Sequence, residues 1–161
     1  MEKVAVEDVD SWVSPASAKR PVGRALGVED AALNYYELGP GESFAFGRHR
    51  HMGQEEVFYV LSGEATFETG DPREGTEEVV VAAGELVRFG PGEWQQGWNR
   101  GEEPVRALAV GAPAESGETT ILRECEACGG YTEQSVERAP DEEGALVTVC
   151  GDCGGETARF S

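Results

Sequence analysis

Residues 49–63 read HRHMGQEEVFYVLSG, and the fold is decided here. The stretch holds both histidines of the chain, His49 and His51, followed by Glu55, Glu56 and Gly63. Side chains at i and i+2 of a strand leave the same face, so an extended backbone aims both imidazoles at one point. Converging imidazoles with a carboxylate close behind form a donor set for a transition metal. The plain alternative is a pair of surface histidines on one strand.

Working outward, the chain from Ala32 onward consists of short runs rich in Val, Phe, Tyr and Leu. Turn residues break them roughly every eight to twelve positions, the pattern of a β-sandwich or barrel. Strands are expected near 32–38, 42–47, 55–61, 64–69, 77–82, 85–89, 94–99 and 104–110. The breaks carry turn chemistry at Gly39-Pro40-Gly41, Ser62-Gly63, Gly70-Asp71-Pro72, Ala83-Gly84, Gly90-Pro91-Gly92 and Arg100-Gly101. Eight short strands without an amphipathic helix predict an all-β, double-sheet jelly roll. Phe44, Phe46, Phe58, Phe67 and Phe89 are expected to fill its core.

Residues 1–31 read as an irregular arm packed on the barrel, with a strand or helical turn around Val22 to Val28 and Trp12 as a candidate anchor. Residues 32–111 form the expected barrel, and 112–121, small and polar, a linker. The remaining residues, 122–161, are too few for a stable core without a staple.

The 161 residues suit one ordinary domain with a small appendage. The net charge of -18 arises from 31 acidic against 13 basic residues, of which only Lys3 and Lys19 are lysines. Such a coat keeps a protein soluble and is screened by salt, so an extreme-salt, halophilic cytoplasm is the expected setting. It also repels phosphate backbones and anionic membranes, which argues against nucleic-acid and membrane partners. No apolar run approaches ~18 residues, and the first thirty lack the order of a secretory signal, so a cytoplasmic location is expected.

The central stretch resembles the first motif of the cupin family: His-x-His, three or four residues, Glu, six residues, Gly. His49, His51 and Gly63 fit, and the spacing selects Glu56 over Glu55. The second cupin motif resembles residues 84–99, with Gly84, Gly92 and Asn99 in place, Gly90 in the Pro position and Gln95 in the position of a histidine. The resemblance covers roughly residues 32–111 and implies a double-stranded β-helix barrel with a mononuclear metal site on His49, His51 and Glu56. A neutral amide is a weaker donor than imidazole, so Gln95 has three open roles: direct ligand, holder of a metal-bound water, or neither. Fe, Mn, Ni and Zn all suit two histidines and one carboxylate.

Strand alternation turns Glu55, Arg48 and Arg50 away from the ligands. A bulge at Arg48 would let it anchor an anionic substrate, and Tyr35, Trp94 and Trp98 are the other candidate pocket residues. Cupins commonly pair through their sheets, and Val57, Tyr59 and Leu61 form an apolar face opposite Glu56, so a homodimer is expected.

All four cysteines lie after residue 124, in two Cys-x-x-Cys-Gly turns: Cys125 and Cys128, then Cys150 and Cys153. This spacing matches a structural zinc site built from four thiolates, and the glycines let the backbone turn so that its amides reach the sulfurs. The segment resembles a zinc ribbon, with strands over 129–133 and 146–149 joined by an acidic turn at 139–144. Two disulfides are the competing reading. Nine acidic residues against Arg123, Arg138 and Arg159 between 121 and 161 favour a structural or protein-contact role over nucleic-acid binding.

Two functions follow from these features. One is a small metal-dependent enzyme of dioxygenase, isomerase or lyase type acting on a small molecule. The other is a non-catalytic small-molecule-binding module stabilised, or connected to a partner, by the zinc ribbon.

Overall fold

Turn residues at short intervals keep the strands short, and the chain folds as strands throughout. The computed structural model describes all 161 residues, Met1 to Ser161. After a 3₁₀ turn at Val6–Asp8 come β1 (Ala18–Arg20), the one-turn helix α1 (Val22–Ala25), β2 (Ala32–Leu38), β3 (Arg48–His51) and β4 (Glu55–Ser62). Then follow β5 (Glu64–Thr69), β6 (Glu77–Ala82), β7 (Leu86–Phe89), β8 (Gln95–Trp98) and β9 (Val105–Ala112). The last four strands are β10 (Thr119–Cys125), β11 (Gly130–Arg138), β12 (Leu146–Cys150) and β13 (Glu156–Phe160). No helix is long and apolar enough to cross a membrane.

Two antiparallel sheets face each other as a jelly roll. One has the order β1-β2-β9-β4-β7, and the other β13-β12-β11-β10-β3-β8-β5-β6. Alternation places Phe58 and Val60 of β4 inside, while Tyr59 and Leu61 are exposed. Phe67 centres the core, with ring centroids 4.9 Å from Phe58, 5.5 Å from Phe44 and 5.6 Å from Phe89. Gly97 of β8 passes under these rings, where a Cβ would sit 2.5 Å from Phe67 and 2.6 Å from Phe44. Gly63 turns β4 into β5 at φ 76°, a conformation that L side chains rarely adopt. Buried Asn99 donates to the carbonyls of Leu38 and Glu103 and accepts from the amide of Gly101, so it ties the turn before β9 to the end of β2.

The strand expected over 42–47 is instead a series of bends with one bridge, Ser43 to Trp98. Backbone bonds still join residues 41–44 to 97–99, and the Ser43 hydroxyl adds contacts to the carbonyls of Ala45 and Gly97, after which the chain bends away over 44–47. Regular pairing resumes at β3, which carries the histidines. Trp12, the candidate anchor of the arm, is 47% exposed. The arm is held instead by buried Ala16, Ala18 and Val22, by β1–β2 pairing, and by the Glu42 carboxylate, which accepts from the Ser17 amide and hydroxyl.

The stretch read as a linker ends in a strand. Thr119, Thr120 and Ile121 belong to β10, which pairs with β3 along one edge and β11 along the other. The cysteine-bearing segment therefore continues the barrel's own sheet. Its strand is hidden in the sequence because Ile121 faces the barrel cavity while neighbouring Leu122 is fully buried on the other face, which erases the two-residue alternation.

Candidate metal centre

Each ligand position is set by strand register. His49 of β3 pairs with Gln95 of β8 and with Ile121 of β10, and His51 pairs with Thr119. Glu56 comes from β4 in the opposite sheet and crosses the barrel to meet them. Its Oε2 lies 3.8 Å from His49 Nε2 and 3.6 Å from His51 Nε2. The other ring nitrogens are engaged: His49 Nδ1 is 3.2 Å from the Gly47 carbonyl, and His51 Nδ1 is 2.8 Å from Thr119 Oγ1. A carbonyl only accepts, so His49 carries its proton on Nδ1 and turns the Nε2 lone pair to the centre. The Thr119 hydroxyl is directed at Ser116 Oγ, 3.4 Å away, which leaves its oxygen to accept from His51 in the same tautomer.

Donors bonded at about 2.1 Å to one ion stand roughly 3 to 3.5 Å apart, so both histidine–Glu56 separations lie close to those of a metal-bound set, and all three donor atoms fall within 4.8 Å of one another. Burial raises the Glu56 pKa, but in the metal-free protein His49 and His51, when they carry a second proton on Nε2, donate hydrogen bonds and positive charge that outweigh it and hold the carboxyl at about 2. Gln95, 2% exposed, directs its Nε2 to Glu56 Oε2 at 2.8 Å. Its amide N–H thus orients the carboxylate.

A cavity of about 160 Å³ opens on the trio. Its walls are Tyr36, Phe44, Phe46, Phe58 and Ile121, with Thr119 and Lys19 as further polar lining. A larger cleft of about 640 Å³ lies between barrel and ribbon and contains none of the three ligands.

The four cysteines form a second cluster. Cys125 and Cys153 sulfurs are 3.7 Å apart, and those of Cys128 and Cys150 3.8 Å. A disulfide would hold them at about 2.05 Å, whereas tetrahedral thiolates on zinc, with bonds near 2.3 Å, stand about 3.8 Å apart. Gly129 at φ 75° and Gly154 at φ 73° close the two turns, each returning its amide to the carbonyl of the first cysteine. Thr132 Oγ1 lies 3.1 Å from Cys150 Sγ, and this contact, with backbone amides, pulls the Cys150 thiol down to about 6. The first thiolate for a metal is therefore already favoured there.

A comparison with protein families matches residues 34–111 to the cupin domain. These residues form a cupin domain. The chain is 32% identical over 74 residues to an oxalate-binding protein of Thermotoga maritima, a stretch covering 46% of this chain and 55% of that protein. The chain thus spans about half the length of the curated relative it matches. Among solved structures, a cupin-superfamily sugar phosphate isomerase from Silicibacter pomeroyi aligns over 98% of both chains, with a TM-score of 0.62 at 19% identity. Oxalate decarboxylase of Bacillus subtilis, studied for its Mn(II) centres, aligns over 71% of this chain and 31% of its own, with a TM-score of 0.56 at 22% identity. At these identities the two structures share the cupin fold.

None of the four pocket residues expected from the sequence lines the cupin cavity. Tyr35 lies on the far face of β2, its hydroxyl donating to Glu37. Arg48, 4% exposed, turns away from the histidines into an ion pair with Glu68 and donates to the Gly70 carbonyl. Trp94 stacks under the Arg50 guanidinium at 4.5 Å, and Trp98 borders the outer cleft. The residues that do line it, Lys19, Tyr36 and Thr119, are not among those expected. Tyr36 shares its alternation with buried Leu38, a signal that selects it over Tyr35. No local signal reveals Lys19 or Thr119, because both reach the cavity through pairing of strands far apart in sequence.

Proposed function

We propose that His49, His51 and Glu56 hold one divalent transition metal in the cupin barrel and that the protein is a small metal-dependent enzyme acting on a small molecule bound beside it. The carrying observation is that both Nε2 atoms face one Glu56 oxygen while both Nδ1 atoms are engaged elsewhere. Two nitrogens and a carboxylate oxygen suit Fe, Mn, Ni or Zn, and the likeness to a decarboxylase with Mn(II) centres favours manganese. Such a metal supplies Lewis-acid polarisation of a bound oxygen. The chain's own groups orient the site: Gln95 fixes Glu56, and Gly47 and Thr119 fix the imidazoles. The four-cysteine cluster is assigned to structural zinc. The exposed apolar row of Tyr59, Leu61, Leu86 and Val110 is assigned to a homodimer contact.

A second reading, a binding module without turnover, is favoured by one feature: the place of a fourth ligand is taken by Gln95, which presents its N–H to Glu56. The oxalate-binding name of the Thermotoga relative fits that reading equally. Elemental analysis of untagged protein tests the metal assignment. Two metals per chain are expected, one lost on replacing His49 and His51 by alanine and one lost on replacing Cys150. A single metal, indifferent to the histidine replacements, overturns the barrel site. Turnover of oxalate or another small acid by the metal-loaded protein separates enzyme from binder.

A further inference from the structure

Lys19 is the one side-chain cation in the cupin cavity. It sits on β1, three residues long, and pairs with Tyr36 of β2, so alternation turns both side chains into the barrel. Its Nζ stands 5.7 Å from the centroid of the Tyr36 ring and shares the cavity with His49, His51 and Glu56. It has no hydrogen-bond or ion-pair partner, although six arginines of the chain are paired with carboxylates. Burial pushes its pKa down, and only the charge of Glu56 opposes this.

A half-buried amine beside Tyr36 without a protein partner gives up part of the hydration that an exposed lysine keeps, at a cost in free energy. The fold accepts that cost in a protein whose surface is covered with carboxylates. Charge balance points to what offsets it. Glu56 contributes one negative charge, a divalent ion two positive and Lys19 one more, leaving the loaded cavity with two positive charges in an apolar shell. A neutral occupant would leave both uncompensated, whereas a small anion reaching from the ligands to Lys19 would neutralise them. About 160 Å³ holds on the order of five waters at their liquid volume, room for an occupant of a few heavy atoms.

We propose that Lys19 is the anion-binding residue of this cavity, pairing with one carboxylate of a small organic acid whose other end faces His49, His51 and Glu56. The proposal rests on the barrel-metal reading for the second half of that contact. It makes the N-terminal arm part of the site, since β1 supplies this residue alone.

Calorimetric titration of the full-length, manganese-loaded protein with oxalate and with its neutral isostere oxamide tests it. Oxalate is expected to bind, and Lys19→Met to weaken it about tenfold to a hundredfold, the loss of a charged hydrogen bond. Manganese content should stay unchanged, because Lys19 is not a ligand. Any oxamide affinity should stay unchanged too, and Lys19→Arg should retain most of the oxalate affinity. The methionine variant is expected to stay folded, since the Lys19 amine makes no hydrogen bond or ion pair that the change would break, and a thermal melt checks this. Equal oxalate affinity in Lys19→Met and the parent overturns the proposal, as does a manganese-loaded parent that does not bind oxalate. If the barrel takes up no metal, the metal reading falls instead. Oxalate titration of that metal-free protein, with and without Lys19→Met, then decides the role of Lys19 separately.

Discussion

Gln95 Nε2 lies 2.8 Å from Glu56 Oε2, the same oxygen that faces both imidazoles. The residue in the place of a fourth ligand thus acts on the third. Partners that orient a ligand typically contribute about 10- to 100-fold in metal affinity. Gln95→Ala is expected to weaken barrel-metal binding by about that factor, measured by competition with a chelating dye. Gln95→His, which offers an imidazole nitrogen, is expected to strengthen it.

Glu56 gives the metal-free protein a defined acid sensitivity. Its folded pKa is about 2, below the ordinary 4.5, so its contribution is present above about 4.5 and lost as pH falls toward 2. Denaturant melts of chelator-treated protein between about pH 5 and about pH 2 should show stability falling through that window. In Glu56→Gln this component of the fall is expected to be absent.

Gly97 underlies the aromatic core. Gly97→Ala places a methyl group inside the contact distance of Phe44 and Phe67. Overpacking of this kind costs about 1–3 kcal/mol, so the midpoint of urea unfolding should drop accordingly. The neighbouring position in the sequence, Gln96, faces the other side of the sheet, and its replacement should not reproduce a core clash.

Loss of the zinc proposed for the cysteine cluster should be felt along β10. That strand begins at Thr119 beside His51 and ends at Cys125 in the cysteine cluster. The small apolar cluster of the ribbon comprises Ala139, Ala145 and Val147, too little to hold it without the metal. Replacing Cys150 by serine is expected to abolish amide-exchange protection in β11 to β13 and to lower it in β10, while β4, β5 and β9 remain protected. Unchanged protection in β12 would show that the cluster is not a metal staple.

Much of the barrel was legible because its strands alternate against a single core. β2, β5 and β6 match their expected bounds, and β4 runs one residue longer. The same regularity chose Glu56 over Glu55: Glu56 faces the histidines, while Glu55 pairs with Arg88 on the outer face. Legibility failed where bends interrupt the strand, as over 44–47, and where a strand was covered on both faces, as at Ile121 and Leu122.

The sequence by itself determined which donors exist and how they are grouped: a histidine pair and a carboxylate at strand spacing, and four thiols in two tight turns. These follow from backbone periodicity and turn geometry, which act over a few residues. Only the tertiary structure decided what surrounds those donors. Lys19, Tyr36 and Thr119 reach the cavity through β1–β2 and β3–β10 pairing, while Tyr35, Arg48, Trp94 and Trp98 lie elsewhere. Pairing between distant strands is set by how the whole core closes, and no stretch as short as residues 49–63 contains that information.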